Sequence, residues 1–231
     1  MTVGVVVFPG SNCEQDVVEA VSALGGDAEL LWHGDSTLSG VDAVVLPGGF
    51  AHGDYLRPGA LARFSPVMSA LVDFAAGGGP VVGICNGFQV LTEAGLLPGA
   101  LQKNRGLRFL CTMASVRVET TSSPVTALAE RGDVLQVPIN HFEGNYTCDP
   151  DTLARLRAED RVVLRYVSNL NGSVDDIAGI CSAERNVVGL MPHPERACHS
   201  LLGSTDGAVL LRSLLAAATT TAPTPFSSRP G

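Results

Sequence analysis

Short β-branched runs alternate along this chain with longer amphipathic stretches, and that alternation constrains the fold more than any other feature. Val3–Phe8 reads as a buried strand, followed by a Pro-Gly-Ser-Asn turn and a helix from about Glu14 to Leu24. Ala28–Trp32 and Ala43–Leu46 read as further strands. A glycine-rich loop over Pro47–Gly59 leads to a helix expected over about Ala60–Ala75. Pro80–Ile84 is again a strand, Cys85 a turn, and Asn86–Ala94 a helix. Strands that alternate with helices, and are apolar throughout, imply a mostly parallel sheet covered on both faces. Right-handed crossovers then give an α/β, doubly wound sandwich flanked by helices.

From about Leu107 the pattern changes. Phe109–Glu119, Val134–Ile139, Val162–Val167, Ile177–Cys181 and Val187–Met191 read as strands with few helices between them. This predicts a strand-rich second half closed by a helix over Leu201–Ala218. Residues 1–218 are expected to form one domain, and the Thr/Pro/Ser-rich tail Thr219–Gly231 to be disordered.

Composition removes several classes of function. With 231 residues, 45% hydrophobic and 16% charged, the chain can bury a sizeable core, which excludes wholesale disorder. A net charge of −8 argues against general nucleic-acid binding, which needs a cationic surface. The single lysine, Lys103, reads as genomic base bias and lies in no GxxxxGK[ST] phosphate loop. No apolar run is long enough to span a bilayer. Residues 3–8 read as a strand and not as a targeting peptide, so the expectation is a cytoplasmic protein with reduced thiols. Cys13, Cys85, Cys111, Cys148, Cys181 and Cys198 form no CxxC pair, and the histidines show no HxxxH or HExxH spacing, so no metal site is expected.

Three segments fall at the carboxyl ends of predicted strands, where parallel α/β sheets bind ligands. Gly83-Ile84-Cys85-Asn86-Gly87-Phe88-Gln89 joins a strand to a helix. Small residues two before and two after Cys85 permit a sharp elbow that exposes its side chain. At a helix N-terminus the dipole and free N–H groups favour the thiolate. Met191-Pro192-His193-Pro194-Glu195-Arg196 follows another strand; its prolines restrict His193, and Glu195 can accept Nδ1–H to orient the ring. In Pro47-Gly48-Gly49-Phe50, adjacent glycines permit close backbone approach, so the N–H groups of Gly49 and Asn86 can jointly stabilise an oxyanion. Taken singly, these segments read equally as a buried cysteine in a tight turn, an ordinary histidine and a plain βα turn. Together they spell a nucleophile, a base and an orienting acid.

In this order the three segments resemble the class I, or triad, glutamine amidotransferases. Phe8–Cys13, Pro47–Gly53 continued by Asp54-Tyr55-Leu56-Arg57, the Cys85 elbow, Asn171-Gly172-Ser173 and Pro192–Arg196 narrow the resemblance to the glutaminase subunits of phosphoribosylformylglycinamidine synthases, over roughly Val3 to Leu215. The chain departs from that pattern at Asn140-His141-Phe142-Glu143-Gly144, where the family carries Ala-His-Gly-Glu-Gly, and at Ala51-His52, where Ser-Tyr is common. The resemblance implies a flavodoxin-like fold and a triad of Cys85, His193 and Glu195. It implies glutamine contacts from Gly49 and Gln89, with Asn140 and His141 at the amino-acid end of the pocket, and structural roles for the remaining cysteines. It further implies no cofactor on this chain, a separate synthetase chain using ATP and magnesium, and a small third subunit. A peptidase or deglycase built on a similar cysteine elbow, and a catalytically silent regulatory chain, are the competing readings.

Overall fold

The computed structural model of the protein describes residues 1–38 and 40–220. In chain order the elements are β1 (Thr2–Val7), α1 (Glu14–Ala23), β2 (Asp27–Trp32), β3 (Ala43–Leu46), α2 (Pro66–Ala76), β4 (Val81–Ile84) and α3 (Asn86–Glu93). Next come β5 (Ala100–Gln102), β6 (Leu110–Val118), β7 (Val134–His141), β8 (Asn145–Thr147), α4 (Pro150–Ala158), β9 (Val162–Tyr166), β10 (Ile177–Cys181), β11 (Val187–Leu190) and α5 (Gly207–Thr220). No helix among the described residues is long and apolar enough to cross a membrane.

Nine strands form one sheet in the order β2-β1-β3-β4-β11-β10-β9-β6-β7. The pairings from β2 through β11 are parallel. Those from β11 through β7 are antiparallel. Every residue of β3, β4 and β11 is buried, as expected of central strands covered on both faces. β1 pairs with β2 on one side and β3 on the other, so the chain reverses direction across the sheet there. Right-handed crossovers therefore put α1 and α2 on opposite faces. α5 packs beside α1, whereas α3 lies over β3, β4 and β11. The reversal opens a crevice at the carboxyl ends of the strands, the place where open α/β sheets bind ligands.

Several boundaries differ from the sequence reading. The helix expected over Ala60–Ala75 is a 3-10 turn, Ala62–Phe64, followed by α2. Pro66 forces this break: it disfavours helical geometry at the preceding residue, and Ser65 is extended at φ −65, ψ 143. The helix expected over Leu201–Ala218 begins only at Gly207, because the 3-10 turn Ser200–Leu202 ends in Gly203 at φ 90. Thr219 and Thr220, assigned to a disordered tail, continue α5, and the rest of that expectation, 221–231, lies outside the described residues. The second half also contains α4, which the sequence reading passed over; the Asp149 side chain caps it by accepting from the Thr152 N–H at 2.9 Å. β5 and β8 pair as a separate two-stranded ribbon.

Candidate active site

Loops after β1, β3, β4 and β11 meet at the crevice. Cys85 stands between β4 and α3 at φ 51, ψ −105, a conformation that non-glycine residues rarely adopt. Its N–H donates to Leu190 O at 2.8 Å and its carbonyl accepts from the Gln89 N–H at 3.2 Å, so the elbow is pinned to β11 and to its own helix. The two flanking glycines are sterically required. A Cβ on Gly83 would lie 2.6 Å from the Gly87 backbone, and one on Gly87 would overlap the Leu46 carbonyl of β3. The helix can thus press onto the sheet and lift the thiol into the crevice.

β11 delivers His193. Its N–H donates to Pro138 O at 2.8 Å, and its ring nitrogen Nδ1 lies 2.6 Å from Glu195 Oε1, with both side chains buried. A carboxylate oxygen only accepts, so Nδ1 carries a proton in either charge state of the ring, and Nε2 is the nitrogen left to exchange a proton with the thiol side. The sulfurs of Cys85 and Cys13 both interact with the imidazole. Neither meets Nε2 as a fully formed hydrogen bond, and Nε2 is buried without a partner. Such contacts are commonly long before substrate binds. Burial disfavours the imidazolium, but Glu195 and the two sulfurs outweigh it and hold His193 well above the ordinary histidine range.

Cys13, read from the sequence as a structural thiol, therefore lies in the immediate neighbourhood of His193. Its N–H donates to Gly48 O at 3.3 Å, and its sulfur accepts from Arg196 Nη2 at 3.2 Å. Arg196 Nε is itself bonded to Asp16 Oδ2 at 2.9 Å. Gly48 leaves room for both neighbours: a Cβ there would stand 2.7 Å from His193 Cε1 and 3.0 Å from the Cys13 sulfur. Cys13, His193 and Glu195 also bring donor atoms within 4.8 Å of one another, a trio able to approach a metal ion. The His193–Glu195 hydrogen bond already occupies one donor of each.

The two candidate oxyanion donors, the N–H groups of Gly49 and Asn86, belong to the loop after β3 and to the first turn of α3. Ser11 and Gly49 pair as an antiparallel bridge, with Phe50 N–H donating to Gly10 O at 2.8 Å and Asn12 N–H to Gly48 O at 3.4 Å. That register makes Ser11 and Gly49 a non-hydrogen-bonded pair, whose own N–H groups point away from each other's strand. Asn86 opens α3, so its N–H has no acceptor within the helix. The Asn86 side chain braces the loop after β3: Oδ1 accepts from the Ala51 N–H at 2.9 Å, and Nδ2 donates to Asp54 Oδ1 at 3.1 Å and Gln89 Oε1 at 2.9 Å.

A cavity of about 340 Å³ lies over these groups. It brings together Gly49, Cys85, Gln89, Asn140, His141 and His193 from the sequence reading. Gln89 closes one wall, its amide Nε2 donating to Glu143 O at 2.5 Å. The Asn140 carbonyl accepts from the Cys85 thiol at 3.7 Å. His141 is buried with Nδ1 3.1 Å from Asn104 Oδ1; burial and nearby His193 push its pKa down to about 4, so the ring is neutral. Phe142, the departure from the family pattern, sits at the rim, and its carbonyl accepts from the Asn104 N–H at 2.9 Å. Asn171 and Ser173 lie outside the cavity and hold this segment from behind, through Asn171 Nδ2 to Gly144 O at 2.7 Å and the Tyr146 N–H to Ser173 Oγ at 3.0 Å. The cavity also takes in Asp54 and Arg57, which the resemblance quotes without a role, and Lys103, read from the sequence as base bias.

The CobB/CobQ-like glutamine amidotransferase domain matches residues 1–207. The chain is 62% identical over 218 residues to the phosphoribosylformylglycinamidine synthase subunit PurQ of Rubrobacter xylanophilus, covering 94% of this chain and 99% of that one. It is 52% identical over 227 residues to the subunit of the same name from Koribacter versatilis, covering 94% and 98%. Among solved structures, a chain of PurLQS from Thermotoga maritima superposes with a TM-score of 0.87 at 40% identity, covering 93% of this chain and 97% of that one. A putative GMP synthase component from Thermoplasma acidophilum, at 18% identity and TM-score 0.69 over 95% of each chain, shares the fold.

Proposed function

The chain belongs to the PurQ subunits of phosphoribosylformylglycinamidine synthase, within the CobB/CobQ-like glutamine amidotransferases, and on that premise we propose that Cys85 hydrolyses glutamine and that the ammonia is passed to a separate synthetase chain. The observation that carries the assignment of residues is the convergence of a strained cysteine at a helix N-terminus with a buried His193–Glu195 pair just past the end of the neighbouring strand. Relatives named for this function cover 94% of the chain, and a peptidase or deglycase reading has no comparable support.

The chemistry follows from the arrangement. The Cys85 thiolate attacks the carboxamide carbon of glutamine, and the N–H groups of Gly49 and Asn86 stabilise the oxyanion. His193, having taken the thiol proton on Nε2, gives it to the departing nitrogen; ammonia leaves, and a γ-glutamyl thioester remains on Cys85. Water then attacks the thioester while His193 accepts its proton, releasing glutamate and the thiolate. Removing one oxyanion donor typically costs ~3–4 kcal/mol of transition-state stabilisation. Gln89, Asn140 and His141 line the bound glutamine.

Ammonia released into bulk water is mostly protonated and no longer nucleophilic, so delivery must be enclosed. The Thermotoga neighbour's name joins Q to L and S components. By that analogy the acceptor is a synthetase subunit, which uses ATP and magnesium to amidate formylglycinamide ribonucleotide, with a small third subunit completing a cytoplasmic assembly. Residues 1–218 act as one amidotransferase domain that needs no cofactor of its own. The test is an amidation assay on the assembled complex. Glutamine should support it in the wild type but not in Cys85→Ala, whereas ammonium salts should support it in both. Equal glutamine-dependent rates in the two proteins would refute the role of Cys85.

A further inference from the structure

Catalysis accounts for His193 Nε2, the buried nitrogen left to the thiol side, but not for two neighbours of the same imidazole. One is Glu195 Oε2, which is buried without a hydrogen-bond partner while Oε1 holds Nδ1. The other is Cys13, whose sulfur interacts with the ring although the reaction needs a single thiol. The Cys13 sulfur, a ring nitrogen of His193 and a carboxylate oxygen of Glu195 lie within 4.8 Å of one another, and all three residues are buried. The Cys13 thiol donates to Asn12 Oδ1 at 3.1 Å, and its sulfur accepts from Arg196 Nη2 at 3.2 Å. Arg196 is fixed in turn by Asp16 at 2.9 Å. Outer-shell bonds of this kind orient a metal ligand before an ion arrives.

Thiolate, imidazole and carboxylate are the three ligand types that zinc takes from proteins. With bonds of about 2.0–2.3 Å, a tetrahedral zinc holds neighbouring donors about 3.3–3.7 Å apart, so the trio closes on an ion by movements of about 1 Å. One thiolate and one carboxylate together balance a charge of 2+, which avoids burying an uncompensated ion. The cavity of about 340 Å³ is lined by both Cys13 and His193, so it supplies an entry path and room for a water as fourth ligand. We propose that Cys13, His193 and Glu195 form a reversible inhibitory site for a thiophilic divalent cation of the zinc and cadmium class. The ion takes the place of the Cys13 thiol proton and of any proton on the coordinating nitrogen. These protons pass to solvent, and nothing is oxidised or reduced. An imidazole held in this way neither takes the Cys85 proton nor returns it, so glutamine hydrolysis stops. The soft sulfur discriminates against magnesium, a hard ion that prefers oxygen ligands. The inhibitory consequence rests on the glutaminase reading above, whereas the binding site does not.

The full-length Cys85→Ala chain, which keeps the trio and lacks the catalytic thiol, tests binding. Titration with cadmium chloride should develop the ultraviolet thiolate-to-cadmium charge-transfer band of one tight site per chain. Cys13→Ser in that background should weaken the tight site by at least about 100-fold, the upper end of what losing an outer-shell partner costs. X-ray absorption of the zinc-loaded Cys85→Ala chain needs no Cys13 variant and should show one sulfur among nitrogen and oxygen ligands. A zinc shell without sulfur, or an equally tight band after Cys13→Ser, would overturn the proposal. In the assembled complex with magnesium in excess, zinc chloride should suppress ammonia release from glutamine, spare ammonium-dependent amidation, and be reversed by a chelator. Cys13→Ser, each protein scaled to its own rate without zinc, should raise the concentration for half-inhibition by at least about tenfold. Equal sensitivity of the two proteins would overturn the inhibitory role. A complex that releases no ammonia from glutamine even without zinc would instead overturn the glutaminase reading, and the cadmium band would still decide the metal site.

Discussion

His193 Nδ1 and Glu195 Oε1 lie 2.6 Å apart with both side chains buried. The short connection, one residue between them, is bent into the 3-10 turn Pro194–Ala197, and this turn lets the acid fold back under the ring. The bond fixes the tautomer and leaves Nε2 directed to the thiol side of the crevice. Replacing the acid with an amide of the same shape keeps the geometry but lets the ring adopt the wrong tautomer. Glu195→Gln should therefore lower kcat by ~10²–10⁴-fold while the protein stays folded, as stopped assays and circular dichroism would register.

Gly48 separates β3 from the imidazole. A methyl group there would sit 2.7 Å from His193 Cε1, so Gly48→Ala should push the ring off its position. A displacement near 1 Å at a reacting group can cost on the order of 100-fold in rate, and a loss of that order is expected in kcat with a smaller effect on KM. A fully active Gly48→Ala protein would mean that the ring position seen here is not the working one.

Gly87→Ala addresses the elbow through the fold. Its Cβ would overlap the Leu46 carbonyl, and neither α3 nor β3 has space to retreat, both being buried. Destabilisation of about 1–3 kcal/mol is expected from urea denaturation. Gly106→Ala, which would meet nothing within 4 Å, should change the midpoint little.

The parallel half of the fold was open to reading because β3, β4 and β11 are wholly apolar and each ends in a glycine- or proline-bearing turn. The grouping of Cys85, His193 and Glu195 was legible for the same reason, since these residues follow directly on those strand ends. Where one residue overrides a periodic pattern, the reading failed: Pro66 split the helix before it, and Gly203 delayed α5. α4 is short, with Thr152 and Leu156 as its buried residues, and its weak apolar stripe left little periodic signal. Cys13 and Asp54 appear in the sequence only as parts of family segments, because their contacts with His193 and Asn86 depend on distances between segments far apart in the chain.

His141 links the site to stability. Its folded pKa is lowered from 6.5 to about 4 by burial, with His193 adding to the effect, so the folded protein binds fewer protons than the unfolded chain in that interval. The sign follows: this contribution is fully present above about pH 6.5 and is lost as pH falls towards 4, on the order of 3 kcal/mol in all. Denaturation of the wild type and His141→Gln across this range should show their stability difference shrinking as the pH falls. A difference independent of pH would mean that His141 titrates alike in both states.

The most direct test of the central claim is mass spectrometry of the protein, assembled with its synthetase partner, after treatment with a glutamine-like electrophile. The account predicts a single adduct on Cys85, suppressed by excess glutamine, absent from Cys85→Ala and slowed in Glu195→Gln. An unmodified Cys85, or label that settles on another cysteine at the same rate in Cys85→Ala, would contradict it.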